Sequence, residues 1–440
     1  MATTVTSVIN IISVVISMIF LLIILSYYAI LFIKVKKQKN NSQDISKSSI
    51  SIIIPAHNEE KHLAECVSSV INADWSGFKE IIVIDDGSVD KTFKIAESFT
   101  ELSNKSNKYR QLNAKIHIKI IRTKHSGKSA SLNLGIKNSK SELIAIVDGD
   151  SIIDKFALKH LSIELSQPQV AAATGVVKVK NRNTMGMWLH IEQLYASLMR
   201  SVFSKVNANI TTPGPLSMYK REALVSIGLF STEGFSEDAD VAIRLIRKGH
   251  KVVFSDNSVV HTYMPDDLKG IIRQRSRFAR GTINLLKRHL RANKLIIDLY
   301  TLPLLLFFYV QSIIMGSINL YQIFSGYSLY FISKGIYFNF NVFKFFFEWF
   351  SLIGFIKWSA SVILGLAPLT FLSAIVILTS LLSYPLYLYA VLKYDKKIDF
   401  HHIIPIIFMF PFWIFVMLIY LISIPEIFSK NQYNKWKKNE

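Results

Sequence analysis

The stretch Ile144-Ala145-Ile146-Val147-Asp148-Gly149-Asp150-Ser151-Ile152-Ile153 decides the fold of this chain. Its apolar run is short and rich in β-branched residues, and it stops at two aspartates, as a buried parallel strand does at the carboxyl edge of its sheet. Open α/β sheets bind ligands at that edge. Two carboxylates separated by one glycine can approach a single divalent cation, and Mg²⁺ and Mn²⁺ favour such oxygen ligands. A solvated Asp-Gly turn is the alternative interpretation of the same residues.

Short apolar runs alternate with helical patterns on both sides of this strand. The pattern predicts strands at residues 49–54, 80–84, 117–122, 143–147, 170–180 and 252–255. It predicts helices at residues 59–72, 129–137, 154–166 and 185–205, with two more after Lys91 and Asp240. This order indicates an α/β fold with a mainly parallel sheet, right-handed crossovers and helices on both faces. The polar stretch at 98–115 interrupts the pattern and is expected to be a surface loop.

Composition favours a membrane protein. Of the 440 residues, 50% are hydrophobic and only 19% are charged, which is typical of polytopic membrane proteins. The net charge of +20 could indicate nucleic acid, but the basic residues cluster beside apolar segments, where cytoplasmic loops and anionic lipids explain them. The sequence contains no zinc-finger or homeodomain pattern, so we expect no nucleic-acid partner. The single cysteine, Cys66, excludes an intrachain disulfide and is expected to be a small core residue.

Residues 8–33 form a nearly uncharged apolar run, long enough to cross a bilayer of about 30 Å. A cleaved signal peptide is the alternative, but the run is long and is followed by lysines, which place the next segment in the cytoplasm. These lysines are Lys34, Lys36, Lys37 and Lys39. We therefore predict an uncleaved anchor.

The C-terminal part is predicted to cross the membrane several times. Apolar spans occur at about 299–324, 350–369, 371–392 and 403–424. Lysines at 393–397 and at 430–438 favour opposite orientations, so the number of spans stays open. The aromatic stretch 337–350 suggests an interfacial helix. From residue 266, arginines alternate with apolar residues, which is typical of a basic amphipathic helix at a membrane interface; a solvated basic face is the alternative.

These patterns divide the chain into four parts. We expect a transmembrane anchor at 1–35, an α/β domain at 36–265, amphipathic interface helices at 266–298 and transmembrane helices at 299–440. The chain would be an integral protein of the cell membrane, with its α/β domain in the cytoplasm.

Seven motifs occur along this framework. They are Pro55-Ala56-His57-Asn58-Glu59-Glu60, Asp85-Asp86-Gly87-Ser88, His125-Ser126-Gly127-Lys128-Ser129-Ala130-Ser131-Leu132-Asn133, Asp148-Gly149-Asp150, Gly214-Pro215-Leu216-Ser217-Met218-Tyr219, Glu237-Asp238 and Gln274-Arg275-Ser276-Arg277-Phe278. In this order they resemble the motifs of membrane-embedded family 2 glycosyltransferases, a group that includes the synthases of hyaluronan, chitin, cellulose and poly-N-acetylglucosamine. The resemblance covers residues 49–300 and the flanking spans. Two positions depart from it: His57 stands where Tyr is frequent, and Phe278 stands where the group has Trp.

The resemblance implies a GT-A catalytic domain with a Rossmann-like sheet, and a role for individual residues. The donor-binding residues would be Pro55, Ala56, Asn58, Glu59, Asp85, Asp86, Lys128, Asp148, Gln274, Arg277 and Phe278. The acceptor-binding residues would be Gly214, Pro215, Leu216 and Phe278. Asp150, with Asp148, would hold Mg²⁺ or Mn²⁺. Asp238, preceded by Glu237, would be the general base of an inverting transfer.

The chemistry of a nucleotide sugar agrees with these assignments. Its diphosphate leaving group develops negative charge as the glycosidic bond breaks, so it needs a metal cation and fixed positive side chains. Lys128 and Arg277 are the candidates, and Arg275 is a weaker one. Asp85 and Asp86 are expected to accept hydrogen bonds from the base and ribose of the nucleotide.

The acceptor hydroxyl must lose a proton as it attacks the anomeric carbon, which makes Asp238 the candidate general base. The alternative is that Ser236, Glu237 and Asp238 simply cap the apolar helix that follows. The presence of the other motifs favours the interpretation of Asp238 as a general base.

The leading functional hypothesis is a polysaccharide synthase that extends a chain from a UDP-sugar at the cytoplasmic face, coupled to secretion. The alternative is a non-processive enzyme that adds one sugar to a lipid, such as a polyprenyl phosphate or a glycolipid. Phe278 weighs against the processive hypothesis, because it lacks the indole N–H of the usual Trp. The expected partners are a nucleotide sugar, a carbohydrate or lipid-linked acceptor, and membrane lipids.

Two other classes are disfavoured. A transporter would carry ionisable residues inside its spans, and here only Glu348 and Lys357 lie near the edges of the C-terminal spans. A soluble dinucleotide-binding enzyme would have a Gly-x-Gly-x-x-Gly turn after its first strand, which Pro55 ends instead.

Overall fold

The computed structural model describes residues 2–34, 45–105, 116–291 and 293–428. One eight-stranded sheet organises the part between residues 50 and 262. Its strands are β1 (Ile50–Ala56), β2 (Lys79–Asp86), β3 (Ile116–Thr123), β4 (Leu143–Ile146), β5 (Ser151–Ile153), β6 (Val170–Val179), β7 (Ser217–Lys220) and β8 (Lys251–Thr262). In space they follow the order β3-β2-β1-β4-β7-β6-β8-β5.

Half of this sheet has the predicted parallel arrangement. β3, β2, β1 and β4 all run parallel, with Ile52 of β1 paired to Ile81 on one side and to Ala145 on the other. Beyond β4 the sheet is mixed, because β7 is antiparallel to both β4 and β6, and β5 is antiparallel to β8. The predicted α/β class is confirmed. The sequence did not predict β5 or β7, and β8 extends beyond the predicted 252–255.

The parallel strands bring the first acidic motifs to one edge of the sheet. β1 ends in Pro55-Ala56, β2 ends in Asp85-Asp86, and Asp148 follows β4 by two residues. Because parallel strands present their carboxyl ends at the same edge, residues far apart in sequence become neighbours there.

Helices cover both faces of the sheet. With the N-terminal helix numbered first, the helices up to residue 289 are α1 (Ala2–Leu31), α2 (Leu63–Asn72), α3 (Thr92–Lys105), α4 (Lys128–Asn138), α5 (Ala157–Leu165), α6 (Gly186–Ser204), α7 (Arg221–Ser226), α8 (Glu237–Arg247) and α9 (Leu268–His289). Ile52 and Ile54 pack on the face covered by α2 and α5, and Ile53 packs on the face covered by α4 and α8. All seven residues of β1 are buried, and each fully buried Ile contributes roughly 1.5–3 kcal/mol. The first motif is thus attached to a firmly packed strand.

The prediction of a loop at 98–115 is wrong for residues 98–105, which belong to α3. α3 continues to Lys105, and its Ile95 and Phe99 both pack against the core. Residues four apart share one helical face, so the polar residues between them do not interrupt the helix. Residues 106–115 lie outside the described part of the chain.

The C-terminal region is helical. It comprises α10 (Leu302–Tyr330), α11 (Phe340–Phe350), α12 (Leu352–Ile363), α13 (Phe371–Tyr394), α14 (Phe400–Ile407), α15 (Met409–Ile422) and α16 (Pro425–Phe428). Three segments are long and apolar enough to span a membrane: Ser7–Leu31, Ile297–Lys334 and Phe371–Tyr394. The pairs α11/α12 and α14/α15 are bent by 84° and 63°, and each pair could form one further span. The described residues therefore contain three to five candidate spans, as expected for a membrane protein.

Two predicted spans are not single straight helices. The span at 350–369 corresponds to α12, whose 12 residues reach only about 18 Å, short of a bilayer of about 30 Å. The span at 403–424 is interrupted at Phe408, between α14 and α15. The lysines at 36–39 and 430–438, from which the membrane orientation was predicted, lie outside the described residues.

α9 has the predicted amphipathic pattern. Ile271, Ala279 and Ile283 are buried, whereas Arg277 and Phe278 are exposed. The helix contacts α8 of the α/β domain on one side and α10 and α15 of the C-terminal region on another. It therefore connects the two parts of the molecule.

Candidate active site

The first two motifs are joined by hydrogen bonds at the ends of β1 and β2. Asn58 has a left-handed backbone, with φ of 54°, a conformation that Asn tolerates better than most residues. Its backbone N–H donates to Ser88 Oγ at 3.0 Å, and its Oδ1 accepts from the N–H of Val89 at 3.0 Å. The N–H of Glu59 donates to Thr92 Oγ1 at 2.7 Å. Residues 58 and 59 are thus bonded to the segment from Ser88 to Thr92, and α2 begins at Leu63 and not at residue 59 as predicted.

Gly149 allows the Asp-Gly-Asp turn to approach the first motif. A Cβ at this position would lie 3.2 Å from Glu59 Cγ and 3.3 Å from the carbonyl oxygen of Pro55. A side chain here would require the turn or these neighbours to shift by a few tenths of an ångström. The glycine thus places both aspartates of the turn against the end of β1.

The aspartates of the second motif are buried and bonded to the protein. Asp86 accepts hydrogen bonds from the backbone N–H groups of Ser126 at 2.8 Å and Gly127 at 2.9 Å. Asp85 lies 3.2 Å from the Nε of Arg122, and neither carboxylate is exposed to solvent. In this state Asp86 holds the loop that leads to Lys128. The expected contacts of Asp85 and Asp86 with the base and ribose of the nucleotide stay a prediction.

Lys128 lies at the centre of a charged cluster. It is the first residue of α4, and Gly127 before it has φ of 93°, a conformation that favours glycine. Its Nζ lies 2.6 Å from Asp148 Oδ1 and 3.6 Å from Glu237 Oε1. Burial lowers the pKa of Lys128, but these carboxylates outweigh burial and raise it above its ordinary value. Burial raises the pKa of Asp148, and Lys128 opposes that change.

The loop that contains Gly214 lies directly on this cluster. A Cβ on Gly214 would collide with the Lys128 amine and the Asp148 carboxylate. Thr212 Oγ1 donates to the carbonyl oxygen of Asp238 at 2.7 Å, which connects the loop to α8. Pro215 is half-buried, and Leu216 is a fully buried anchor of the loop. The predicted acceptor-side loop is therefore in contact with both acidic segments.

Asp238 lies in the first turn of α8. α8 begins at Glu237, and Ser236, the residue at the N-cap position, makes no side-chain capping bond. Burial and then the neighbouring Glu237 raise the pKa of Asp238 to about 6. Its Oδ1 accepts only a short-range bond from the N–H of Ala239, at 2.9 Å. A carboxylate that titrates near neutrality is suited to proton transfer.

Asp150 is positioned by strand β8. Its Oδ1 accepts from Thr262 Oγ1 at 3.4 Å and from Ser151 Oγ at 3.2 Å. The N–H of Tyr263 donates to its carbonyl oxygen at 3.2 Å. These partners were missed, because nothing in the sequence shows that β8 returns beside the Asp-Gly-Asp turn.

Gln274 of α9 lies next to this segment. Its Nε2 donates to the sulfur of Met264 at 3.3 Å, one residue beyond Tyr263. Its buried Oε1 has no hydrogen-bond partner within the described residues, so it is available to a ligand. Arg277 and Phe278 are exposed and contact each other, 5.7 Å apart. In the described part of the chain, neither is bonded to the Lys128 cluster.

The weaker prediction, that Arg275 supplies positive charge to the diphosphate, is wrong. It is buried and forms a bidentate ion pair with Glu192, with one nitrogen–oxygen distance of 2.7 Å. Its guanidinium also lies 5.9 Å from the ring of Phe412 in α15. The side chain is therefore engaged by Glu192 of α6 and by a ring of the C-terminal helices.

Cys66 is a buried residue of α2, as predicted. Its Sγ donates weakly to the carbonyl oxygen of Asp148 at 3.4 Å, and burial raises the pKa of its thiol well above the ordinary value. It is a packing residue beneath the Asp-Gly-Asp turn.

Two groups of His and Asp side chains within the described residues bring potential ligand atoms within 4.8 Å of one another. In the first, Asn58 Nδ2 donates to His57 Nε2 at 3.3 Å, so His57 Nδ1 carries the proton and donates to the carbonyl oxygen of Asp86 at 2.8 Å. In the second, the N–H of Val179 donates to His190 Nδ1, so His190 Nε2 is the protonated atom facing Asp395. Protonated nitrogens cannot ligate a metal. Neither of the two histidine groups therefore fits a metal ion while these nitrogens are protonated.

Asp148 and Asp150 offer oxygen ligands at the open edge of the sheet. Carboxylate oxygens suit Mg²⁺ and Mn²⁺, which complete their shells with substrate phosphates and water. Asp148 and Asp150 therefore have the ligand chemistry that such an ion prefers, although Asp148 is paired with Lys128 in this state.

Comparison with known proteins agrees with this description. A model named glycosyl transferase family 2 matches residues 51–228, and one named glycosyl transferase family group 2 matches residues 143–424. The sheet and its acidic edge define a GT-A-type transferase. The chain belongs to glycosyl transferase family group 2, which confirms the predicted family and enzyme class.

Curated relatives match between about half and two thirds of this chain. An N-acetylglucosaminyltransferase of Azorhizobium caulinodans is 29% identical over 53% of this chain and 59% of its own length. A poly-β-1,6-N-acetyl-D-glucosamine synthase of Staphylococcus epidermidis is 27% identical over 54% of this chain and 56% of its own length. A probable glycosyltransferase of Bacillus subtilis is 27% identical, over 64% and 68% respectively. The chain thus spans little more than half the length of the first two.

A solved structure shares the fold over most of the chain. It is a mannosyltransferase of Pyrobaculum calidifontis in complex with GDP-mannose and Mn²⁺. The similarity covers 89% of this chain and 99% of that one, with a TM-score of 0.56 and 16% identity. At this identity, the match shows a common fold.

Proposed function

We propose that the chain transfers a sugar from a nucleotide sugar, specifically a UDP-sugar, to an acceptor at the cytoplasmic face of the cell membrane. The observation that carries this proposal is the meeting of Lys128, Asp148 and the Glu237-Asp238 pair beneath the Gly214 loop. A diphosphate donor needs positive charge, and a hydroxyl acceptor needs a base. One edge of the sheet supplies both.

Lys128 supplies the fixed positive charge that faces the leaving diphosphate. Asp150, with Asp148, would hold Mg²⁺ or Mn²⁺, and the ion, when bound, neutralises the charge that develops on the diphosphate. The fold of a mannosyltransferase that contains Mn²⁺ and GDP-mannose supports this assignment. Gln274 Oε1, buried and without a hydrogen-bond partner among the described residues, is a further candidate contact for the donor.

Asp238 is the proposed general base. With a pKa of about 6, it is mostly ionised at neutral pH and still basic enough to accept the proton of the acceptor hydroxyl. The acceptor oxygen forms the new bond to the anomeric carbon as the bond to the diphosphate oxygen breaks, and the proton moves to the Asp238 carboxylate. Attack opposite the leaving group inverts the anomeric configuration.

The leading candidate for the acceptor is a growing carbohydrate chain. The names of the N-acetylglucosaminyltransferase and poly-N-acetylglucosamine synthase relatives support extension of a polysaccharide, and the candidate spans would couple extension to secretion. Transfer of one sugar to a lipid is the second candidate. It is favoured by Phe278, which replaces the usual Trp, is 42% exposed, and lies on a helix that contacts α10 and α15.

The test uses the full chain in lipid nanodiscs with a panel of UDP- and GDP-sugars, each with Mg²⁺ or Mn²⁺. Nucleotide release identifies the donor, and mass spectrometry of the product counts the added sugars. We expect one UDP-sugar to give a multi-sugar product; a single sugar on a lipid would reject the synthase in favour of the second candidate. Asp238→Asn should lose roughly 10²- to 10⁴-fold in transfer rate, and Asp74→Asn, a matched change at a residue whose side chain is 41% exposed, should stay active. Full activity of Asp238→Asn would overturn the assigned base.

A further inference from the structure

Asp240 is a buried carboxylate two residues beyond the proposed base, and the transfer reaction described above does not use it. It lies in the first turn of α8 and is 3% exposed. Its Oδ2 accepts from Arg244 Nε at 2.7 Å, and its Oδ1 accepts from His289 Nε2 at 2.8 Å and from Arg288 Nη1 at 3.2 Å. Two of these three donors belong to the last turn of α9.

His289 binds Asp240 as a neutral donor. Arg247 Nη1 lies 3.1 Å from His289 Nδ1, and a guanidinium can only donate, so Nδ1 accepts and Nε2 carries the proton given to Asp240. Arg247 is itself held by Asp298, at 2.6 Å. Burial favours the protonated carboxyl, but His289 and Arg244 outweigh it and hold the pKa of Asp240 at about 2. Asp240 is therefore an ionised carboxylate at neutral pH.

Arg288 extends the connection to the loop that precedes the base. Its guanidinium donates to Ser231 Oγ at 2.9 Å and to the carbonyl oxygen of Glu233 at 2.9 Å, in addition to Asp240. A second contact between the same two regions lies two turns earlier on α9, where Gly281 packs against Ser236 so closely that a Cβ would collide with the serine hydroxyl. α9 is thus attached to the base-bearing turn at two points.

This attachment joins two groups of site residues. α8 carries the base, Asp238, at its beginning, and α9 carries Gln274, Arg277 and Phe278 in its first half. A shift of α9 along or around its axis would change the distance between the base and these three side chains. Charge-assisted hydrogen bonds among buried groups resist such a shift, because breaking them leaves buried charges without partners.

We propose that Asp240 is a positioning residue for the transfer step, which holds Asp238 in register with the Gln274-Arg277-Phe278 segment of α9 through His289 and Arg288. This inference rests on the proposed function, since it assumes that Asp238 is the base. It adds a role for residues outside the seven motifs, and it makes the end of α9 part of the catalytic geometry.

The test compares Asp240→Asn with Asp74→Asn and measures kcat, donor KM and thermal stability. Asp240→Asn should lower kcat by about 10- to 100-fold, as a misplacement of about 1 Å does, while the donor KM stays within about twofold. The acid limb of the kcat profile should also move to lower pH, because one negative charge near Asp238 is lost. A lower Tm with kcat and the acid limb unchanged would mean a structural role only and would overturn the proposal.

A second pair of variants tests the connection itself. His289→Gln keeps an N–H donor that can reach Asp240 and should retain most of the activity, whereas His289→Leu should behave as Asp240→Asn does. Equal activity of the two His289 variants would contradict the proposal.

The distance between spin labels at the exposed positions Lys248 and Lys287 provides a readout that needs no activity. It should broaden in Asp240→Asn and His289→Leu and not in His289→Gln; an unchanged distribution in all variants would overturn the proposal. If the wild type transfers no sugar from any donor, the proposed function fails, and this distance still decides whether Asp240 fixes α8 against α9.

Discussion

Lys128 is the residue on which the charge balance of the site depends. Three carboxylates, Asp148, Glu237 and Asp238, raise its pKa against the effect of burial. The amine therefore stays charged at neutral pH and reduces the repulsion among these carboxylates. A cation already present in the site is also ready to face an incoming diphosphate without reorganisation, which is the condition under which electrostatic stabilisation is largest.

Lys128→Met should lower kcat by roughly 10²- to 10³-fold, the usual loss when one group that stabilises developing charge is removed. Lys128 lowers the pKa of Asp238, so its loss should raise that pKa and move the acid limb of the rate profile to higher pH. Steady-state kinetics across this limb measure both effects. Lys251→Met, at an exposed lysine, is the matched control. A profile that does not move would show that Lys128 and Asp238 are not neighbours in the working enzyme.

Asp238→Asn should lower kcat by roughly 10²- to 10⁴-fold and leave donor binding intact, because only the base is lost. It should also raise Tm at neutral pH. Burial and Glu237 raise the pKa of Asp238 from 3.8 to about 6, so the folded state binds a proton more readily than the unfolded one, and its ionised form is destabilised above the unfolded pKa. The gain in Tm should therefore disappear below about pH 4, where both states are protonated. A lower Tm for the variant at neutral pH would contradict this account of the burial.

The sequence was sufficient to predict which strand ends meet at one edge of the sheet, but not what the residues there would contact. Parallel strands end at one edge, so Pro55, Asp86 and Asp148 had to be neighbours once the strands were identified. The partners of Asp86 could not be predicted, because they are backbone N–H groups whose direction depends on the left-handed turn at Gly127. The role of Asp238 was ambiguous for a related reason: acidic residues after a serine are expected both at the start of a helix and at the position of a general base.

At the level of elements, the contact between α9 and the start of α8 depends on one glycine. Gly281→Ala should displace α9 from the base-bearing turn, because the added methyl would meet Ser236 Oγ. We expect kcat to fall by about 10- to 100-fold. The double variant Gly281→Ala/Ser236→Ala should recover most of this loss, since the remaining Ser236 Cβ lies 3.5 Å from the added methyl, an ordinary contact. Kinetics of the single and double variants measure the recovery; equal losses in both would show that the contact does not matter.

The elements missed from the sequence are the short ones. β5 and β7 have three and four residues. These segments are too short to show the alternation of apolar and polar residues that distinguishes a strand from a loop. β7 nevertheless joins the parallel half of the sheet to β6, and the Gly214 loop leads into it. Most of the longer elements were predicted within a few residues, because each repeats its apolar pattern several times; β8 and α3 are exceptions that extend past their predicted ends.

For the whole molecule, one buried carboxylate joins the α/β domain to the C-terminal helices. Asp395, which follows α13, contacts Lys178 at 2.9 Å, Arg182 at 2.9 Å, His190 at 2.7 Å and His402 at 3.0 Å. Burial opposes its ionisation, but the hydrogen bonds from His190 and His402 outweigh burial and hold the pKa of Asp395 well below its ordinary value. The two parts of the chain are therefore connected by an ionised group as well as by apolar packing.

Asp395→Asn should lower the thermal stability of the full chain in detergent. Removing one partner of a fully buried ion pair costs about 3–5 kcal/mol, and the cost should be smaller here because the Arg182 side chain is 30% exposed. A depressed pKa stabilises the folded state above the unfolded pKa of 3.8, so the difference between variant and wild type should shrink as the pH falls below about 4. Asp74→Asn is the matched control. Equal Tm values at neutral pH would show that Asp395 does not hold the two parts together.

Membrane segments were predictable by length, but their bends were not. Counting apolar residues identifies the regions around α10 and α13, yet it cannot detect the interruptions at Ser351 and Phe408, which consist of single residues inside apolar sequence. The contacts of Asp395 could not be predicted from the sequence either, because Lys178 and His190 are more than 200 residues away from it along the chain. Only the folded chain brings them together.

The most direct test of the central claim measures donor binding and sugar transfer on the same nanodisc samples, with and without a divalent ion. Wild type should bind a nucleotide sugar only with the ion and transfer its sugar, Asp150→Asn should lose the ion-dependent binding, and Asp238→Asn should bind the donor but not transfer the sugar. Binding and transfer at wild-type levels in both variants would contradict the account.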